Sequence, residues 1–252
     1  MPDASYRSEY GPVLGVTVPQ ANTTVEPEMQ ALLGPRHTLL TARMVCHSPD
    51  ARARLLDYLV TLGATAAQFD VAPLQALGFA CTGSSYLVGA THEAERLVAL
   101  TATCGYPVLS AAQSILHAFH ALGARRIALL SPYPGWLSEA GLTYWKAAGL
   151  TVTAKAGLPS ELLDTRNIYK LTTPAVQSLL AALDVTGCDA VLMSGTGMPS
   201  LRSIAAHRLP MPVLSSNLCL AWAMQCAVQP DQSTTGLLND MLAPNADWRN
   251  RL

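Results

Sequence analysis

Short apolar runs alternate with longer segments of helical periodicity along most of the chain. The short runs predict strands at Val13–Val18, Thr38–Val45, Leu77–Cys81, Val108–Leu109, Arg126–Leu130, Val152–Ala156, Ala190–Met193 and Val213–Ser215. The longer segments predict helices at Ala51–Leu62, His92–Thr103, Ala111–Leu122, Leu137–Ala148, Ala175–Leu183 and Leu218–Cys226. This alternation is typical of an α/β fold with mostly parallel sheets flanked by helices.

The spacing of apolar residues predicts which side of a helix is buried. In the segment 51–62, the residues that cluster on one side are Ala53, Leu55, Leu56, Leu59 and Val60, as an amphipathic helix requires. The residues from about Gly236 onward are more polar, and they predict a tail or a short closing helix.

One local pattern occurs twice. Cys81-Thr82-Gly83 follows one predicted strand, and Gly195-Thr196-Gly197 follows another more than a hundred residues later. A chance match is one interpretation; the other is a pair of similar α/β lobes that face each other across a cleft. Ligands of such sheets bind at the carboxyl ends of the strands, where both turns lie.

Composition narrows the class of protein. The chain has 252 residues, of which 50% are hydrophobic and 13% charged, and its formal net charge is −1. This near-neutral balance argues against nucleic acid and anionic membranes as partners. The N-terminus lacks the basic-then-apolar pattern of a signal peptide, so we expect a cytoplasmic protein.

Six cysteines are present, without a CxxC pair or metal-ligand spacing. Most cysteines of a reducing compartment are buried apolar residues. Cys81 differs because a strand-to-helix turn offers backbone N–H groups, which lower a thiol pKa and favour the thiolate. The following Ser84 and Ser85 have two open interpretations, helix capping and ligand contact.

Two further polar residues follow predicted strands. Asn22 comes after the first strand, where its amide either caps the helix that starts near Glu26 or points into the same cleft. Tyr133 follows the strand that ends at Leu130, and it is either an ordinary loop aromatic or an anion contact. The histidines are uninformative.

These residues together resemble a known family, the maleate cis–trans isomerases, and less closely the arylmalonate decarboxylases, both of the aspartate/glutamate racemase superfamily. The motifs that carry the resemblance are Pro19-x-x-Asn22-Thr23-Thr24-x-Glu26, Ala80-Cys81-Thr82, Ser131-Pro132-Tyr133, Asn167 within Asp164-Thr165-Arg166-Asn167-Ile168, Met198-Pro199-Ser200-Leu201 and Ser215-Ser216-Asn217. They occur in matching order from about Gly15 to Trp222.

The resemblance implies two pseudo-symmetric lobes with the active site between them, residues 1–110 plus 216–252 forming one and 111–215 the other. It implies a small carboxylate substrate, no cofactor, and a monomer or homodimer. By position, Cys81 matches the thiol that attacks maleate, while Asn22, Tyr133 and Asn167 match residues that bind carboxylates. Thr82 matches a contributor to the decarboxylase's anion pocket.

The chain departs from the family at Gly195, where two-thiol members carry their second cysteine. The decarboxylases show the mirrored arrangement, with glycine at the position of Cys81. Racemisation through two thiols is therefore disfavoured, and the glycine is expected to leave room for a bulkier substrate. A small-molecule binding protein without catalysis is a third interpretation.

Two single-thiol reactions stay open. In the first, the Cys81 thiolate adds to the double bond of a small dicarboxylic acid, and rotation and expulsion give the other isomer. In the second, a substituted malonate loses carbon dioxide and Cys81 protonates one face of the enediolate. In both, Tyr133 and the N–H groups of the two turns, Thr82-Gly83 and Thr196-Gly197, stabilise negative charge.

Overall fold

The computed structural model describes residues 8–157 and 164–252. Its first half contains β1 (Val13–Pro19), α1 (Val25–Leu33), β2 (Thr38–Met44), α2 (Ala51–Val60), α3 (Leu62–Ala66), β3 (Ala76–Phe79), α4 (Thr82–Val88), α5 (Ala90–Cys104) and β4 (Val108–Ser110). The remainder contains α6 (Ala111–Leu122), β5 (Arg126–Ser131), α7 (Gly135–Ala147), β6 (Thr151–Gly157), α8 (Thr173–Ala182), β7 (Ala190–Met193), α9 (Leu201–Ala206), β8 (Val213–Ser215), α10 (Ser216–Val228) and α11 (Thr234–Leu242).

The strands form two four-stranded parallel sheets with the same connectivity. Their orders are β2-β1-β3-β4 and β6-β5-β7-β8, so each sheet places its second, first, third and fourth strand side by side. All pairings are parallel. The expected fold, two similar lobes of parallel sheet flanked by helices, is confirmed. Because the carboxyl ends of parallel strands share one edge, each sheet gathers its turns at one end.

Helix α10 returns to the first sheet and packs against α6, β3 and β4. A methyl group on Gly78 of β3 would lie 2.7 Å from Met224 Sδ of this helix, so the small residue permits the close approach. Helix α6 also contacts β4 and α4. The lobe boundaries at residues 110 and 215 stay a prediction.

Local signals explain the helix ends. Helix α6 has the predicted bounds because Ser110 Oγ accepts from the Gln113 N–H (3.0 Å) and Gly123 ends it in the left-handed region. The predicted helix 51–62 instead ends at Val60, and α3 begins at Leu62. The polar C-terminal segment forms α11 and the 3₁₀ helix Asp247–Arg251, so the closing-helix interpretation is confirmed. Within the described ranges, no helix is long and apolar enough to cross a bilayer.

The buried face of α2 differs from the predicted one. Leu55 and Leu59 are buried as expected, but Val60 is 60% exposed. The other side chains on the buried face are those of Arg54 and Tyr58, at 3% and 5% exposure. Apolar spacing does not mark Arg54, because polar contacts to the carbonyls of Ser48 and Pro49 and to the distant Asp164 accompany its burial.

Candidate active site

Three strand ends meet at one place. The turn after β7 contains Thr196, whose hydroxyl donates to the carbonyl of Ala80 at the end of β3 (2.9 Å). The Asn22 amide, which follows β1, donates to the same Thr196 hydroxyl (3.4 Å). The hydroxyl of Thr24 donates to the carbonyl of Gly197 (3.0 Å). The turns Cys81-Thr82-Gly83 and Gly195-Thr196-Gly197 are therefore joined at adjacent edges of the two sheets.

Asn22 contacts both the start of α1 and the opposite turn, while its role in ligand binding stays a prediction. Its Oδ1 accepts from the backbone N–H groups of Thr24 (2.8 Å) and Val25 (3.2 Å) at the start of α1. Its Nδ2 is directed to Thr196 in the opposite turn. The two bonds to Oδ1 fix the orientation of the side chain. They thereby hold Nδ2 at the contact between the sheets.

Cys81 lies at the N-terminal end of α4 and is 4% exposed. The Ser84 hydroxyl donates to its Sγ at 3.1 Å. Burial raises the pKa of the Cys81 thiol, while hydrogen bonds from Ser84 and from the backbone N–H of Gly83 act in the opposite direction. The expectation of a lowered pKa is wrong for this state, because loss of hydration outweighs the donors in the turn.

Tyr133 holds its hydroxyl 2.6 Å from that of Thr82. Its ring is perpendicular to that of Tyr86, with centroids 6.0 Å apart. Burial raises the pKa of Tyr133 well above its usual value. The phenol therefore stays protonated at neutral pH, and it is a hydrogen-bond donor beside the Cys81 turn rather than a base.

Gly195 has a backbone conformation that favours glycine, with φ +106°. A Cβ at this position would lie 3.1 Å from Pro132 Cγ and 3.5 Å from Tyr133 Cζ. Its backbone N–H donates to the Ser216 hydroxyl (2.9 Å). The expectation of extra room beside Gly195 is wrong along its Cβ direction, because the ring of Pro132 fills it.

Asn167 stands apart from the other predicted residues. It lies on the 3₁₀ helix Thr165–Lys170, and its Oδ1 accepts from Lys170 Nζ (3.0 Å). Within residues 8–157 and 164–252, no hydrogen bond joins Asn167 to Asn22, Cys81 or Tyr133. Its role in carboxylate binding stays a prediction.

Two tyrosines near Cys81 were missed by sequence reasoning. Burial raises the pKa of Tyr58 to about 12, and a negative charge on Cys81 adds to the shift. Burial and the Cys81 charge also raise the pKa of Tyr169. Tyr169 packs over Gly197, where a Cβ would meet its ring at 2.6 Å. Tyrosine is common on helix faces, so no signal in the sequence marked either one.

The segment that carries Asn167 and Tyr169 is attached to the first sheet's helices by an ion pair. Arg54 Nη2 of α2 donates to Asp164 Oδ1 at 2.8 Å. The small cavity lined by Arg54, Tyr58 and Tyr169 measures about 20 Å³, about the space of one water molecule. Tyr58 and Tyr169, whose phenols interact with a charge on Cys81, therefore line a space too small for a dicarboxylic acid.

Ser84 and Ser85 do not cap α4. The Ser84 hydroxyl bonds the sulfur of Cys81, and the Ser85 hydroxyl donates to Glu93 Oε1 at 2.5 Å. Glu93 is fully buried and also accepts from the Tyr144 hydroxyl at 2.6 Å. Burial raises the pKa of Glu93. Ser84 therefore contacts the thiol, whereas Ser85 contacts a buried carboxyl group.

Two curated relatives match most of the chain. Maleate isomerase of Geobacillus stearothermophilus is 31% identical over 220 residues, with 81% of this chain and 86% of the relative covered. Maleate isomerase of Pseudomonas putida is 27% identical over 237 residues, covering 88% and 94%.

Solved structures of similar proteins agree with the two-sheet fold. Maleate isomerase of Pseudomonas putida S16, solved with maleate, has a TM-score of 0.78 at 25% identity and covers 86% of this chain and 92% of that one. A mutant Nocardia farcinica maleate cis–trans isomerase with a covalently bound succinylcysteine intermediate has a TM-score of 0.74 at 26% identity, covering 86% and 93%.

The sequence model described as arylmalonate decarboxylase matches residues 14–239. That span includes every residue of the site described above and, apart from Val13, both sheets. Relatives of this kind are isomerases or carboxy-lyases, which argues against a binding protein without catalysis. The chain is therefore an enzyme of the arylmalonate decarboxylase family, and maleate isomerases are similar to it over most of its length.

Proposed function

We propose that this chain is a cofactor-independent isomerase of a small dicarboxylic acid, similar to maleate isomerase, with Cys81 as its single nucleophile. The observation that carries the proposal is one buried thiol at the junction of the two strand-end turns, beside the hydroxyl pair of Thr82 and Tyr133. The identity to several maleate isomerases supports the substrate class.

The reaction needs no second thiol. The Cys81 thiolate attacks one carbon of the double bond, and the π electrons move into the adjacent carboxylate to give an enediolate. The remaining C–C bond is single and rotates. When the electrons return, the C–S bond breaks, the thiolate is restored and the trans isomer leaves. A covalent succinylcysteine in the Nocardia farcinica relative supports an adduct of this type.

Neutral donors stabilise the charge that develops on the substrate. In this proposal the donors to that charge are the protonated phenol of Tyr133 and the backbone N–H groups of Thr82, Gly83, Thr196 and Gly197. Asn22 and Asn167 bind the substrate carboxylates in this proposal. Fixed donors of this kind supply much of the rate enhancement in reactions through enolates, because they need no reorganisation.

Decarboxylation of a substituted malonate is the second candidate, and the family match over residues 14–239 favours it. The C–C bond to one carboxylate breaks and carbon dioxide leaves. The electron pair of that bond stays on the substrate and forms an enediolate with the remaining carboxylate. The Cys81 thiol then donates its proton to one face. The raised pKa of the thiol supports this role, because the proton is present at neutral pH.

Proton NMR in deuterated water separates the candidates. The full chain is incubated in parallel with maleate and with phenylmalonate. Fumarate formation supports the isomerase, whereas phenylacetate that carries deuterium at its α-carbon supports the decarboxylase. If neither compound reacts, both substrate classes are wrong. Cys81→Ala should remove activity, and Cys226→Ala, which changes a half-buried cysteine of α10, should retain it. Full activity of Cys81→Ala would exclude the thiol mechanism.

A further inference from the structure

Ser84 is the side chain that contacts the Cys81 sulfur through a hydrogen bond. Its Oγ lies 3.1 Å from Sγ, and the serine itself has no exposed surface. The two residues are three apart at the first turn of α4. Because this hydroxyl is buried, bulk water does not compete with the sulfur for its hydrogen bond. The spacing of the two residues in α4 fixes the contact.

The groups that face the Cys81 sulfur give little other support to a thiolate. Glu93 of α5 raises the thiol pKa through its charge. Three phenols of the described residues also interact with a charge on Cys81, on α2, on the loop after β5 and on the 3₁₀ helix Thr165–Lys170: Tyr58, Tyr133 and Tyr169.

The guanidinium of Arg54, which interacts with Tyr58 and Tyr169, is already bound by other groups. Arg54 donates to the carbonyls of Ser48 (3.0 Å) and Pro49 (2.8 Å) and to Asp164. Within the described parts of the chain, the donors that counter the burial of the sulfur are therefore neutral. They are the Ser84 hydroxyl and the backbone N–H groups of Gly83 and Ser84.

We propose that Ser84 is a positioning residue for the reactive thiol, which orients Sγ of Cys81 and stabilises its thiolate through the serine hydroxyl. The inference rests on the proposed function only in that Cys81 is the reactive group. A hydrogen bond to an anion is stronger than one to a neutral sulfur, so the contact favours the deprotonated form.

The next residue provides a matched control. Ser85 is equally buried and lies on the same turn, but its hydroxyl donates to Glu93 and, at 3.4 Å, to the Cys81 carbonyl. Ser85→Ala therefore removes a buried serine hydroxyl without removing a donor to Sγ. Loss of its bond to Glu93 favours the neutral carboxyl group, so any change in the thiol pKa is expected to be downward.

The test is the pH dependence of Cys81 alkylation by iodoacetamide, followed by peptide mass spectrometry on the full chain. Only the thiolate reacts, and the midpoint of the rate profile reports the Cys81 pKa even if burial slows every rate. In Ser84→Ala the midpoint should rise by about one pH unit. Ser84→Thr, which keeps a hydroxyl, should stay near wild type. Alkylation of Cys46 in the same samples serves as the internal reference.

Three results would overturn the inference: an unchanged midpoint in Ser84→Ala, an equal upward shift in Ser85→Ala, or the same upward shift in Ser84→Thr. The proposed function fails separately, since it requires turnover of maleate, whereas the alkylation profile requires no substrate. If turnover is present, Ser84→Ala should lower kcat about tenfold at neutral pH while changing KM little. A rise in KM alone would also count against a role on the thiol.

Discussion

The hydroxyls of Thr82 and Tyr133 lie 2.6 Å apart and join the start of α4 to the loop after β5. Each group comes from a different sheet's strand-end turn, and together they form a polar pair beside Cys81. Tyr133→Phe removes the phenol donor but leaves the ring that packs on Tyr86. Loss of one donor to a developing oxyanion lowers kcat by about 10² or more, and steady-state kinetics would measure it.

The control for that variant is Tyr86→Phe. The Tyr86 hydroxyl bonds Ser194 Oγ at 2.6 Å, within the same aromatic group but directed to β7. We expect a smaller loss of activity there. If both variants lost the same activity, the Tyr133 hydroxyl would have a structural role rather than one on the substrate.

The pH dependence of kcat/KM separates the two candidate reactions because they need opposite states of Cys81. Burial raises the pKa of the thiol, so the thiolate fraction increases with pH across the neutral and mildly alkaline range. Isomerisation needs the thiolate, and its rate should rise throughout that range. Decarboxylation needs the thiol proton, and its rate should be level there and fall at higher pH. A rate that falls from pH 6 to 8 would contradict both.

Gly195→Ala tests the backbone at the second turn. The left-handed φ and the approach of Pro132 should lower the free energy of unfolding by about 2–3 kcal/mol. Gly105→Ala is the matched control, because Gly105 has φ +77° and no atom within 4 Å of an added Cβ; it should cost only about 1 kcal/mol. Thermal unfolding would compare them, and equal losses would exclude a steric contribution from Pro132.

Glu28 connects α1 to the elements behind the second turn. Its carboxylate accepts from the Ser200 and Leu201 N–H groups, from the Ser200 hydroxyl (2.8 Å) and from Asn217 Nδ2 (2.8 Å), while Asn217 also donates to the Thr196 carbonyl. Glu28→Ala leaves these buried donors without an acceptor. It should lower the free energy of unfolding by about 3 kcal/mol, measured by denaturant unfolding. Glu28→Gln keeps an oxygen for the Ser200 and Leu201 N–H groups but sets its NH2 group against Asn217 Nδ2, so it should cost less than Glu28→Ala, about 1–2 kcal/mol.

The pH dependence of stability provides an independent check on Glu28. Burial raises the folded-state pKa of its carboxyl group above the usual 4.5, so the folded chain holds the proton more tightly than the unfolded chain does. The resulting stability is complete below the unfolded-state pKa and is lost as the pH rises through the folded-state pKa. Glu28→Gln should lack this decline. A decline of the same size in the variant would assign it to another group.

The part of the site whose polar side chains follow the ends of strands was predictable from the sequence. Cys81, Asn22 and Tyr133 each come directly after a strand, and the structure brings Asn22 and Tyr133 into contact with the two turns. The pKa of Cys81 was not predictable, because the sequence showed the donors of the turn but not the depth of burial. Arg54 and Tyr58 were missed because apolar periodicity does not mark buried polar side chains, and the ion-pair partner of Arg54, Asp164, is 110 residues away.

The backbone at Gly195 also limits how this enzyme can change over generations. A cysteine placed there by a single substitution would have an unfavourable left-handed φ and a close contact with Pro132. Both would lower the stability of the folded chain. A cysteine at this turn would therefore need a compensating change, at Pro132 or in the turn itself, to keep the stability of the present fold.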